Sequence, residues 1–220
     1  MTRERRSLAD PPADATELIG GPIFAPSDDY ARCARSVFPT PWFFSTDGSG
    51  RFDLVDSPGH GTCYLANDQH GALREVLGPD YKVGTPVSRS FFRPRRIWLV
   101  SPAPTPWRTE LVNLRSEHWD GSGLTAEVFS VEKYSTPQLW ARRMFEAGYC
   151  GLVVALRHLL DPTRHGLALF GDEGAQPSDD RFPTLRVCTI DDDLLTEFAN
   201  VTRIPIESPR APASSLTIIS

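Results

Sequence analysis

The sequence predicts a mixed α/β (α+β) fold in one compact domain, and three observations carry that expectation. A length of 220 residues suits one domain with tails, or at most two small ones. Short β-branched or aromatic runs, most of them the usual length of strands, recur through the middle of the chain. Gly and Pro punctuation and three helix-like windows separate those runs, which points to strands and helices mixed along one chain.

Residues 1–22 are charged, small and proline-containing without a sustained period, so a flexible N-terminal tail is expected there, followed by a domain over 23–206. Residues 207–220 look similar, although their final LTIIS has the composition of an edge strand. The segment DDYARCARSVF from Asp28 fits two readings. Tyr30, Cys33, Ala34, Val37 and Phe38 have helical spacing, whereas a strand would place Tyr30, Arg32 and Ala34 on one face. Strands are predicted at TCYLA from Thr62, RIWLV from Arg96, ELVNL from Glu110, GLVVAL from Gly151, GLALF from Gly166 and TLRVCTI from Thr184. In GSGRFDL, Gly48 and Gly50 allow a tight turn before Phe52 and Leu54 alternate as in a strand.

The first predicted helix is QHGALREVL from Gln69, with Asn67 and Asp68 as cap candidates and Gly78 and Pro79 as its stop. A second runs from about Pro137 through Leu139, Trp140, Met144 and Ala147 to Gly148. The third starts at Asp191 to Asp193. Those three carboxylates suit a helix first turn better than a metal site, because Leu194, Leu195 and Phe198 continue a helical stripe.

Composition removes several classes of function. No stretch free of Asp, Glu, Lys and Arg exceeds 11 residues, too short for a membrane-spanning helix, and the basic opening is followed by no apolar block of a secretory signal. A cytoplasmic protein is expected. Cys33, Cys63, Cys150 and Cys188 stand apart from one another, without C-x-x-C or zinc-ligand spacing, so neither a metal site nor a disulfide framework is indicated. A net charge of −5 argues against direct nucleic-acid binding. All cations but Lys82 and Lys133 are Arg, which supplies planar forks for phosphate and carboxylate groups, although base composition of the gene explains such a bias equally well. The run SRSFFRPRRIW, with Arg89, Arg93, Arg95 and Arg96, reads first as an internally paired or solvated loop, next as a surface for an acidic partner, and last as a nucleic-acid contact.

No P-loop, G-x-G-x-x-G, H-E-x-x-H or G-x-S-x-G motif is present. What stands out is a polar set in the first third: Arg32, Arg35, Arg51, Tyr64 and Glu75. Each has a plain reading by itself. Arg51 suits a turn edge, Tyr64 a half-buried strand aromatic with a tethered hydroxyl, and Glu75 a solvated helix carboxylate off the apolar face.

Their order and spacing add to this. R-C-x-R from Arg32, GRFD from Gly50, G-T-x-YLA from Gly61 and A-L-x-E from Ala72, with Glu75 eleven residues beyond Tyr64, together resemble the RES domain family. YSTPQLWARRMFEAG from Tyr134 and HGLALFGDEG from His165 continue the resemblance, which spans roughly residues 28–174. It implies a mixed α/β fold related to ADP-ribosylating toxins, and a toxin that consumes NAD unless neutralised by a small Xre-type antitoxin. Arg32 matches the family's first Arg, Glu75 its acid, Tyr64 its aromatic and Arg51 the Arg of its R-F motif, which implies Glu75 and Arg32 as catalytic residues, Arg32 and Arg51 as phosphate and ribose anchors, and Tyr64 as a stacking wall. NAD would be a substrate, no cofactor or metal is implied, and inorganic phosphate is a possible co-substrate. Contact with nucleic acid would be indirect, through the antitoxin, and homo- or hetero-oligomers are expected. The family's signature serine corresponds here to Leu156, whose side chain neither donates nor accepts a hydrogen bond. Ser130, Ser135 or His158 are the nearby residues that would restore polarity.

The residues themselves suit a dinucleotide with a labile glycosidic bond. Guanidinium forks clamp pyrophosphate, an aromatic ring stacks on a base, and a carboxylate stabilises cationic charge as nicotinamide leaves. Water as acceptor gives a glycohydrolase, phosphate a phosphorylase and a protein side chain an ADP-ribosyltransferase. The Leu156 position also fits a catalytically degenerate domain that binds a nucleotide or protein without turnover.

Overall fold

Backbone pairing joins most of the predicted runs in one large sheet whose central strands are buried almost continuously, while the helical stripes pack against it. The computed structural model describes residues 7–78, 81–104, 111–156 and 163–207. In chain order the strands are β1 (Ile23–Phe24), β2 (Tyr30–Arg35), β3 (Phe43–Phe44), β4 (His60–Ala66), β5 (Arg95–Val100), β6 (Leu111–Asn113), β7 (Gly151–Ala155), β8 (His165–Asp172), β9 (Gly174–Ala175) and β10 (Thr184–Thr189). The helices are α1 (Gln69–Leu77), α2 (Arg89–Phe92), α3 (Ser135–Glu146) and α4 (Asp192–Thr202). The fold is the predicted mixed α/β domain. None of its described helices is long and apolar enough to cross a membrane.

Eight strands form the main sheet in the order β1-β6-β7-β8-β4-β2-β5-β10, and β3 pairs with β9 beside it. Neighbours are antiparallel except β6 and β7. β4 and β8 pair over seven residues and β2 and β5 over six. Between these two well-zipped halves lies a seam: β2 and β4 meet through one residue pair, Ala31 opposite Ala66.

The ambiguous segment from Asp28 is therefore a strand over Tyr30–Arg35, with Tyr30, Ala31 and Cys33 buried. Its six residues pair in register with β5, which fixes the segment as a strand through contacts far along the chain. The caps are as the sequence predicts. Asp68 accepts a hydrogen bond from Gly71 N–H at 2.5 Å, Asp191 accepts from Leu194 N–H at 2.9 Å, and Gly78 closes α1 at φ 66°.

One local expectation is corrected, the strand-like alternation of Phe52 and Leu54. Part of the N-terminal stretch touches the domain: Leu18 is buried, Trp140 Nε1–H donates to Ala9 O at 2.9 Å, and Tyr149 Oη accepts from Gly21 N–H while donating to Leu18 O, each at 2.8 Å. Single anchors of this kind leave no period to read. Phe52 and Leu54 are buried, but their segment is a turn held by side chains and not a strand. The LTIIS terminus and His158 lie outside the described residues.

The core lies on both faces of the sheet, with Trp140, Met144, Leu152 and Ala168 on one side and Tyr30, Cys63, Leu167 and Phe182 on the other. Burying each large side chain contributes about 1.5–3 kcal/mol. A third cluster, including Leu73, Phe92, Leu195 and Phe198, packs α1, α2 and α4 beside the seam. The cysteines are free, three of them buried and Cys188 half-buried. The basic run is largely paired within the chain: Arg89 with Asp192, Arg95 with Phe91 O and Arg96 with Ser36 O.

Candidate functional site

A cavity of about 300 Å³ opens where β2 and β4 part, within the size range of small-molecule sites. Arg32 comes from β2, Arg51 from the 48–54 turn, Tyr64 from β4, Glu75 from α1 and Leu156 from the end of β7, and all five line it. The sequence-predicted set is thus gathered from separate segments around one space. Arg35, also singled out, does not line it and lies exposed at the end of β2.

The 48–54 turn is fixed from below and behind. Buried Asp53 accepts hydrogen bonds from Gly50 N–H (Oδ2, 2.8 Å) and from the Tyr64 hydroxyl (Oδ1, 2.8 Å). Tyr64 Oη in turn accepts from Phe52 N–H at 2.9 Å. Buried Thr62 accepts from Leu54 N–H and donates to Phe52 O, each at 3.1 Å. From α3, Gln138 Nε2–H donates to Gly48 O and Gly50 O, each at 2.9 Å. A Cβ on Gly50 would lie 2.3 Å from Asp53 Oδ1 and 2.6 Å from Tyr64 Oη, so only glycine fits. Arg51 sits with its guanidinium carbon 5.9 Å from the ring centres of both Phe52 and Tyr134, within cation–π range.

Burial and the neighbouring Asp53 push the Tyr64 phenol well above its ordinary pKa, so it stays a protonated donor. Burial likewise raises the Asp53 carboxyl, against the lowering effect of its hydrogen bonds from Gly50 and Tyr64. With its hydroxyl committed at both ends, Tyr64 offers the cavity its ring.

The opposite side is built differently. Arg32 reaches across the gap where the β2–β4 ladder stops, with Nη1 and Nη2 each 3.3 Å from Phe43 O and Nη1 against Cys63 Sγ. Beside it, α1 buries Ala72, Leu73 and Arg74 and leaves Glu75 exposed at the cavity. The Arg74 guanidinium carbon stands 5.3 Å from the Tyr81 ring centre. Leu156 packs into the floor: its methyl carbons are 2.9 Å from where a Cβ would stand on Gly71 and on Gly166.

Ser130 and Ser135 do not line the cavity; the serine that does is Ser49. Sequence reasoning did not single out Asp53, Gln138, Tyr134 or Ser49. Asp53 stood in the quoted GRFD and Tyr134 and Gln138 in YSTPQLWARRMFEAG, so the motif boundaries were the available signal. Among the described residues, no three His, Cys, Asp or Glu side chains converge as a metal site.

In fold the chain is similar to a chain of the crystal structure of the M. tuberculosis MbcT–MbcA toxin–antitoxin complex. The TM-score is 0.62 at 14% identity, over 86% of this chain and 98% of that one. No curated protein sequence matches it. A model of the RES domain family matches residues 27–189, the span from just before β2 to the end of β10 that contains every segment lining the cavity. With most of its length covered, including the site, the chain belongs to the RES domain family.

Proposed function

We propose that this chain is the toxin half of a toxin–antitoxin pair, a cytoplasmic enzyme that cleaves the nicotinamide–ribose bond of NAD. The observation that carries the reading is the convergence of Arg32, Arg51, Tyr64 and Glu75, from four separate segments, on one cavity at the sheet seam. Arg51, held by the turn on both sides, anchors phosphate or ribose; the Tyr64 ring packs against a base; Arg32 supplies a second anchor once it leaves Phe43 O. Glu75 stabilises the positive charge that develops on the ribose as nicotinamide departs with the bonding electron pair. Attack by water yields ADP-ribose, and attack by inorganic phosphate yields ADP-ribose 1-phosphate. The toxin role is supported by family membership and by the fold's likeness to a chain of a toxin–antitoxin complex. A small Xre-type antitoxin that covers the cavity is the implied partner.

Leu156 favours a second reading, a domain that binds the nucleotide without turning it over, because it fills the floor with methyl groups where the family carries a hydroxyl. Nicotinamide release from NAD by the purified chain, with and without phosphate and beside Glu75→Ala, separates the two. Release that Glu75→Ala abolishes supports the enzyme, and phosphate dependence names the acceptor. No release by the folded wild type, with release appearing in Leu156→Ser, would establish the silent domain instead.

A further inference from the structure

The side of the cavity that carries Arg51 depends on a buried carboxylate for which neither binding nor chemistry has yet given a use. Burying a carboxyl group costs free energy that an apolar side chain of similar size would avoid. Asp53 is nevertheless only 1% exposed, directly behind the cavity lining. Its two oxygens divide the work. Oδ2 accepts from the N–H of Gly50, the residue before Arg51, while Oδ1 accepts from Tyr64 Oη–H, whose oxygen accepts from the N–H of Phe52, the residue after it. The backbone on both sides of Arg51 is thereby tied to one side chain, and so is the hydroxyl of the aromatic that faces the same space.

We propose that Asp53 is a positioning residue that sets the Arg51 backbone and the Tyr64 ring together, so that the cavity receives its phosphate anchor and its base-stacking wall as one rigid unit. The inference rests on the reading of the cavity as an NAD site and deepens it. Asparagine, with one acceptor oxygen, keeps one of the two bonds and turns an NH2 group toward the other donor. Phenylalanine at position 64 keeps the ring and cuts the link to Phe52.

The test compares nicotinamide release from NAD by wild type, Asp53→Asn, Tyr64→Phe and the double variant, together with thermal stability. Leu195→Ala, buried in α4 away from the cavity, serves as a control for destabilisation alone. The expected result is a loss of kcat/KM of about 10–100-fold for Asp53→Asn, the scale set by misplaced binding groups. The double variant should be no worse than the poorer single one, and Leu195→Ala should keep its kcat at temperatures where it is folded. Wild-type kcat/KM in folded Asp53→Asn, or losses that multiply in the double variant, would overturn the proposal while leaving NAD cleavage intact. Where Asp53→Asn does not fold, Tyr64→Phe decides, and wild-type kcat/KM in that variant overturns the linkage. If the wild type releases no nicotinamide, the NAD-cleaving reading fails first and the NAD Kd becomes the measurement. A Kd unchanged by Asp53→Asn then overturns the positioning role, and absence of NAD binding overturns both.

Discussion

The two sides of the cavity are held by opposite means. On the Arg51 side, the turn from Gly48 to Leu54 has its amides bound by Asp53, Tyr64 and Thr62 and its carbonyls by Gln138 and Thr62. On the Arg32 side, β2 joins β4 through the single pair Ala31–Ala66. Side chains supply further ties: Arg32 to Phe43 O and Cys63, Tyr30 Oη to His165 Nε2 at 3.0 Å, and buried clusters that hold Tyr30 with Cys63 and Leu65, and Ala31 with Ala66 and Ala72. One wall is therefore held by hydrogen bonds to its backbone, and the seam by packed side chains with few backbone bonds. A wall fixed in advance spares the ordering entropy of binding.

Changes at these two sides should differ in kind. The largest expected effect is on chemistry at the seam side: Glu75→Gln, isosteric and exposed, should lower kcat for nicotinamide release by about 10²–10³-fold with an unchanged melting temperature. An unchanged rate would remove Glu75 from the proposed chemistry. Gly50→Ala attacks the rigid wall instead. Its Cβ collides with Asp53 and Tyr64, so a loss of about 1–3 kcal/mol is expected in denaturant unfolding, with activity falling alongside. Thr62→Val, equal in shape, leaves Leu54 N–H and Phe52 O without their buried partner and should cost about 2 kcal/mol. A neutral result would remove Thr62 from the support of the wall.

Asp68→Ala removes the α1 cap and should cost about 1 kcal/mol, loosening the helix that carries Glu75. The smallest effect is expected from pH at the seam. Burial holds His165 below its ordinary value of 6.5, so its contribution to stability is complete above 6.5 and is lost as pH falls through the lower folded value. Melting temperature should therefore decline on acidification below about pH 6.5 more steeply in the wild type than in His165→Gln, where the titrating group is gone. Parallel profiles would remove His165 from the seam's stability.

How much of this was legible in the sequence follows the same division. β4, β5, β7, β8, β10 and the three longer helices are written in local periodicity and caps, and they stand where expected. The nature of Asp28–Phe38 is not local, because both periods fit and pairing with β5 decides between them. Phe52 and Leu54 mimic a strand's alternation, yet the turn is stabilised by Asp53, Tyr64 and Thr62, partners that no period reveals. The anchors of the N-terminal segment are hidden for a similar reason, since Leu18, Gly21 and Ala9 touch the domain one contact at a time. The site residues were visible as a set through the order of their motifs. What the motifs did not display was the support behind them, above all Asp53 and Gln138.

Backbone amide exchange of the protein with and without NAD tests the seam as the binding site most directly. The account predicts slower exchange confined to the segments that line the cavity: β2, the 48–54 turn, β4, α1, the end of β7 and the start of β8. Protection centred elsewhere, such as on residues 176–184 beneath the small sheet, or no protection at saturating NAD, would contradict it.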